Sequence, residues 1–343
     1  MSQAASADHL LETRGVQRTL GAFVVAAAFD RTGTAAFALG DGSLQLLHGS
    51  EWRSVAAHDG AVLALTADPA GPGFVSGSDD GRLMRTARDG TVAEIARFGM
   101  KWVEHVAGFA DGKSAVLACA VGKQVHLFDG AGVALKTLAH PSTVSGLAFD
   151  ARGKRIAASH YNGASLWFVA SKSDNPRLLE WKGSHTAIAI SPDGDSVVTA
   201  MQENALHGWR LSDGQHMRMS GYPGKTRSLS FTRSGKWLAT SGAESIVLWP
   251  FTGGGPMGKA PTELAGAAEV ICTAVACHPQ MEAVAAGFAD GVVLVADIAS
   301  GRLLPVAGPG RGPVSALGWS ADGARLAFGT ETGFAAVVDF SRT

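Results

Sequence analysis

The feature that most constrains this chain is a repeat. Val24, Val62, Val103, Val144, His185, Thr226, Cys272 and Val314 each open an apolar run that leads into a turn. Successive starts lie 38, 41, 41, 41, 41, 46 and 42 residues apart. Self-similarity at a period of about 40 residues means stacked copies of one supersecondary unit, none of which can bury its apolar face alone. Eight copies fill the 343-residue chain from near residue 20 to its end.

Each copy has the same internal order. An apolar run ends in a turn such as Asp150-Ala151-Arg152-Gly153 or Ser191-Pro192-Asp193-Gly194, and related turns stand at 30–33, 68–71, 110–112, 232–235, 278–280 and 320–323. Asp, Pro and Gly suit tight turns because they supply local hydrogen bonds, a fixed φ and a permitted positive φ. Two more short runs and a weaker fourth follow, which is an all-β pattern. No segment holds a 3.6-residue period long enough to predict a helix. The 44 glycines point the same way, since glycine inside a helix costs about 1 kcal/mol.

Side-chain size then narrows the architecture. First strands are built of small residues (VVAAAF, AVLALT, VSGLAF, VSALGW) and third strands of bulky ones (SLQLLH, SLWFV, SIVLW). Sheets that converge on a central axis have least room at their innermost strand, so the taper predicts a β-propeller.

The motifs resemble the WD40-repeat family. Its Trp-Asp pair is split between copies: Trp167, Trp209 and Trp249 keep the aromatic half, and Asp129, Asp297 and Asp339 the acidic half. Ser76-Gly77-Ser78-Asp79-Asp80-Gly81 and Phe288-Ala289-Asp290-Gly291 match its turn between second and third strands, with Asn162-Gly163, Asp41-Gly42 and Glu244 as weaker versions. Ala57-His58 and Ala139-His140 approximate its Gly-His. Of the network that the family builds from His, Ser or Thr, Asp and Trp, the copy with His140, Ser159, Asn162 and Trp167 comes nearest.

These readings predict residues 1–12 as a flexible tail. Residues 13–343 are predicted as one closed propeller of eight four-stranded blades, with seven as the alternative count and the first and third copies the likeliest miscounts. Residues 13–20 are expected to supply the outer strand of the last blade, removing an open edge. The stretch 253–261, rich in Gly and Pro, reads as a mobile insertion in the sixth copy.

Charge and composition bear on function. A net charge of −1 and a pI near 6.8 argue against nucleic acid as the main partner. Three cysteines make no disulfide framework. Residues 1–15 lack a secretory pattern, and the longest strongly apolar run, 20–29, is too short for a membrane span. A soluble, cytoplasmic chain, monomeric in isolation, is expected.

Chemistry is weakly signalled. Gly224-Lys225-Thr226 resembles the end of a phosphate-binding loop, but Met219 replaces its first glycine and a strand follows instead of a helix. Cys272 and Cys277 should point to opposite faces of a regular strand, so with His278 they make a poor metal set. His105 and His126 lie on neighbouring strands with Cys119 between them. No Gly-x-Ser-x-Gly elbow is present. The expectation is therefore no catalytic residue, no cofactor and no metal. A hydrolase or lyase centred on the channel is the first alternative and a metal-binding protein the second.

The resemblance implies a scaffold that binds proteins or peptides on one face. Its contact positions fall on Asp79, Tyr161, Gln202 and Glu331 in the second-to-third-strand turns, and on Phe23, Trp102, Thr143 and Lys225 at the entrances to first strands. Met100, Lys182 and Arg311 stand nearby. Trp, Tyr and Arg are frequent anchors of binding energy, which singles out Trp102 and Tyr161.

Overall fold

In most repeats the second strand is the most enclosed element; in repeat six it is the third strand, Ser245–Pro250. Ala35–Leu39, Phe74–Ser78, Ser196–Met201 and Ala283–Phe288 are buried at every position. Strands covered on both faces need no polar alternation, which is why these runs read as continuous small and apolar residues. The first strands, such as Val24–Phe29 and Val314–Trp319, are only half-buried, and the fourth strands, such as Glu51–Ala56, are largely exposed. The computed structural model describes residues 9–172 and 175–341.

The first strands pack side by side around an axis: Val24–Phe29, Val62–Ala67, His105–Ala110, Gly146–Phe149, the end of Arg177–Ile190, Leu229–Phe231, Cys272–Cys277 and Val314–Trp319, which returns to Val24–Phe29. All sheets are antiparallel, and the architecture is an all-β propeller with four-stranded blades.

The sheet count corrects one expectation. Pairing yields seven sheets where eight separate blades were predicted: six have four strands and one has six. Arg155–Phe168 runs fourteen residues through a hairpin, since the Val169 N–H bonds the Lys154 carbonyl at 2.9 Å. Arg177–Ile190 then carries the edge of repeat four straight into the inner strand of repeat five. The turns at Asn162-Gly163 and Lys182-Gly183 are tight enough for pairing to run on through them, so two repeats share one sheet. The predicted miscounts, the first and third copies, form ordinary four-stranded sheets.

The N-terminal segment departs from the expected flexible tail. Residues 1–8 lie outside the described residues, but Leu10–Arg14 is a short helix whose Leu11 is buried beside Val306, Ala307 and Phe328. Five residues are too few for helical periodicity to show, and tertiary packing holds such a piece in place. Gly15–Thr19 then pairs antiparallel with Phe334–Asp339, as the outer strand of the sheet that contains Val314–Trp319.

Neighbouring repeats are laced at three levels. The anchor valines Val24, Val103 and Val314 press into Gly329, Gly77 and Gly287 of the preceding repeat, where an added Cβ would lie 2.3–2.6 Å from the valine. Each burial contributes about 1.5–3 kcal/mol. Near the axis, the hydroxyls of Ser228, Thr273 and Ser315 donate to the carbonyls of Val275, Val314 and Val24 in the next repeat, at 2.8, 2.6 and 2.6 Å. At the first-to-second-strand turns, Arg31, Arg155 and Arg325 donate to Pro69, Gly194 and Gly33 of the next repeat at 2.7–2.8 Å.

The insertion at 253–261 is pinned, contrary to the mobile loop expected. Arg210 Nη1 donates to the Gly254 carbonyl at 2.6 Å, the Arg218 N–H reaches Met257 Sδ at 3.4 Å, and Gly255 and Pro256 are buried. Glycine here allows the loop to fold back on the outer strand of repeat five rather than to stay free.

Candidate protein-interaction face

Because all first strands run the same way, their entrances share one face with the turns between second and third strands. The predicted contact residues therefore stand together on that face. Trp102 is 56% exposed, Tyr161 60% and Phe23 43%, and Met100 beside Trp102 is almost fully exposed. Lone exposed apolar side chains are ordinary, but several large ones on one face are not. Tyr161 is held by its backbone, whose N–H donates to Ser142 Oγ at 2.9 Å. Gln202, Thr143, Lys225 and Lys182 are exposed, and Asp79 is half-buried.

Two predicted contacts are already engaged. Arg311 bonds Glu12 at 2.9 Å and lies over the Phe334 ring at 5.2 Å, so it clamps the N-terminal helix. Glu331 faces Arg227 at 3.8 Å across repeat seven. Arg227 was not singled out from sequence. Phe23, Arg227 and Glu331 border a channel cavity of about 300 Å³ that has no histidine or cysteine in its lining. The hydroxyls there, Ser228, Thr273 and Ser315, are committed to backbone carbonyls. The cavity offers one ion pair and apolar walls, not a nucleophile beside a base.

Beneath the face, polar networks fix the loops. In repeat two, His58 Nδ1 donates to Asp80 at 3.1 Å and Nε2 accepts from Ser76 Oγ at 2.8 Å. Asp80 also accepts from the Asp59 and Arg82 N–H groups. Burial lowers the His58 pKa despite the opposing pull of Asp80, so the imidazole stays neutral with its proton on Nδ1. This is the most complete of the predicted networks. At His140 only the indole pair forms: Trp167 Nε1 donates to His140 Nε2 at 3.2 Å, while Ser159 turns to Ser145 and Asn162 to Gly183. Ser159, one place further from its histidine than Ser76 is from His58, and Asn162, at the position of Asp80, point their polar atoms elsewhere.

Repeat six uses a tyrosine instead. Trp249 Nε1 donates to Tyr222 Oη, which also bonds Thr240 Oγ1, both at 2.6 Å. Burial pushes the Tyr222 pKa up to about 12. Tyr222 stands four residues before its anchor Thr226, as His58 and His140 stand four before Val62 and Val144. That offset was readable in the sequence.

One family model bears on the same segment. The family described as "WD domain, G-beta repeat" matches residues 49–84, the stretch that holds the His58 network. WD repeat-containing protein slp1 of Schizosaccharomyces pombe (strain 972 / ATCC 24843) is 31% identical over 117 residues, or 32% of this chain. The chain folds as a β-propeller and carries a WD40 repeat at residues 49–84. The slp1 match spans only 24% of that protein's length. The propeller also resembles the crystal structure of the computationally designed Ika8 protein, with a TM-score of 0.76 over 95% of this chain and 99% of that one. At 19% identity this similarity concerns the fold alone.

The remaining sequence signals resolve into structure. Gly224-Lys225-Thr226 leads into the strand Leu229–Phe231. The strand Cys272–Cys277 carries a bulge and is not regular, yet Cys277 Sγ donates to the Ser230 carbonyl and His278 Nε2 to the Gly323 carbonyl, each in a different repeat. Burial raises the Cys119, Cys272 and Cys277 thiols to about 12, so they are poor nucleophiles and ligands. It lowers His105 to about 4. Among the described residues no three His, Cys, Asp or Glu side chains gather as a metal set, and no helix is long and apolar enough to cross a membrane.

Proposed function

We propose that the propeller is a non-enzymatic scaffold that holds one or more proteins or peptides against the face bearing Trp102 and Tyr161. The observation that carries this reading is the exposure of both rings on adjacent repeats of one face, with the Tyr161 backbone bonded to Ser142 and a buried Trp167–His140 hydrogen bond in the same repeat. Rigid aromatic side chains on a preformed surface bind with little ordering cost. Phe23, Gln202, Lys225, Asp79 and Glu331 extend the surface around the channel mouth. Arg311 belongs to it only if a partner displaces Glu12.

The same reading includes a cytoplasmic monomer, in keeping with three unpaired cysteines. It counts the fused sheet as two wedges, giving eight blades, in keeping with eight first strands around the axis. Capture of partners from native cells with the unaltered chain and with Trp102→Ala tests it. The variant should lose the captured protein and keep its melting temperature. Retained capture together with a large stability loss would assign Trp102 to packing.

A further inference from the structure

The opposite face carries the turns between first and second strands and between third and fourth strands. Between repeats three and four these turns enclose a cavity of about 1080 Å³. Its floor is apolar, with Phe109, Leu135 and Phe168 in the lining, and Leu135 and Phe168 are 53% and 62% exposed. Phe109 can lie low because Gly153 has no side chain; a Cβ there would meet the ring at 2.1 Å. Lys136 braces the wall by donating to the carbonyls of Phe168 and Ser171 at 3.2 and 2.8 Å.

The rim is cationic. Arg152, Lys154 and Lys172 border the cavity, and among the described residues none of them has a carboxylate within ion-pair distance. The rim carboxylate, Asp111, accepts from the N–H groups of Lys113 and Ser114, both at 2.8 Å. Arg152, Lys154 and Phe168 also border a smaller hollow of about 220 Å³ towards repeat five, so the groove continues across two repeats. Asp150 and Asp193 in that hollow are taken up by Arg155 and Ser191.

We propose that this groove binds an acidic peptide segment that inserts a bulky apolar side chain over Phe109 and Phe168. Unpaired cations around an exposed apolar floor favour a ligand that is both anionic and apolar. Leu135, Val116 and Val169 in the walls offer aliphatic contact, which suits an aliphatic or aromatic side chain better than a stacked base. The site is separate from the face carrying Trp102 and does not rest on that reading.

The test is selection of a displayed random peptide library on the full chain at low salt. Enriched peptides should carry an excess of Asp and Glu around a Phe, Trp or Leu, and should weaken as salt rises. Affinity should fall about tenfold or more in the double variant Arg152→Glu/Lys154→Glu and in Phe168→Ser. It should be unchanged in Trp102→Ala, with the melting temperatures of all variants unaltered. Absence of enrichment, enrichment of basic or neutral peptides, or full binding by the double reversal would overturn the proposal. So would binding of oligouridylate but of no peptide. Peptides lost only with Trp102→Ala belong to the other face, and their enrichment alone would also overturn it.

Discussion

Two seams of the propeller solve the same problem in opposite ways. Where repeats four and five meet, the chain never leaves the sheet: Arg177–Ile190 is the edge of one repeat and the core of the next. In the last sheet the outer strand comes from the far end of the chain: Gly15–Thr19, which runs on through residues 20–23 into the first strand of repeat one, is held to Phe334–Asp339 by pairing and packing rather than by a covalent link. The first seam can open only by bending a continuous backbone. The second can open by fraying, and it is the seam that the Leu10–Arg14 helix and the Arg311–Glu12 pair reinforce. The difference places the one join of the ring that can fray at its terminal latch.

The strongest way to break this comparison is to remove the latch. A chain beginning at residue 21 lacks the outer strand and the helix. It should melt on the order of 10 °C lower or more, or aggregate through the exposed edge of Phe334–Asp339. Unchanged thermal melting would mean that the two seams are equivalent.

The covalent seam has its own weak point. Gly163, at φ +140, lets the hairpin in Arg155–Phe168 turn with Leu179 O so close that a Cβ would sit 2.1 Å away. Gly163→Ala should cost about 3 kcal/mol, combining backbone strain with a clash. Gly99→Ala has positive φ but open space and should cost about 1 kcal/mol. Equal losses in urea titrations would deny the seam its tight turn.

Acid should separate the seams. The fused sheet contains or contacts His140, His185 and His207, whereas the strands of the closing sheet contain no histidine and meet His278, also lowered by burial, at Trp319 and the Gly323 turn. Burial lowers His185, takes His140 to about 4 and, with His216 adding to it, takes His207 to about 3. Each folded value lies below the ordinary 6.5, so the unfolded chain binds protons first. The stabilisation is whole above 6.5 and is lost as pH falls towards the folded value, for His140 by up to about 3 kcal/mol near pH 4. On the closing sheet Asp322 is lowered, chiefly by its bond to Ser320, and its contribution fades only below the usual carboxylate range. Hydrogen exchange at pH 7 and pH 4.5 should therefore show the fused sheet losing protection first; simultaneous loss would contradict this order.

The smallest effect sharpens the latch. Arg311→Ala removes a part-exposed ion pair and a ring contact, and should cost about 1 kcal/mol or less. Exchange protection should fall in Leu10–Arg14 and stay intact in Gly15–Thr19. Loss of both would make the ion pair, rather than the strand, the element that holds the seam.

Much of the fold was readable because a repeated unit repeats its errors as well as its signals. Val24, Val103 and Val314 were legible as anchors since each faces the same glycine notch. The His58 network was legible in part, since its residues keep fixed offsets. The role of Tyr222 was hidden by its chemistry, although not by its position. The candidate face was legible as a set of positions, but not which members are free: Arg311 reads as an exposed anchor until Glu12, 299 residues away, is seen beside it. The basic groove had no signal, because Phe109, Leu135 and Phe168 belong to three different strands or turns.

The sequence by itself determined the repeat, the small-to-bulky taper and the turns, because these depend on neighbours within about 40 residues. Tertiary structure alone decided that two repeats share one sheet, that residues 10–14 form a helix, and which surface charges remain unpaired. Those outcomes depend on what lies across a seam, and a seam joins residues that the linear pattern keeps far apart.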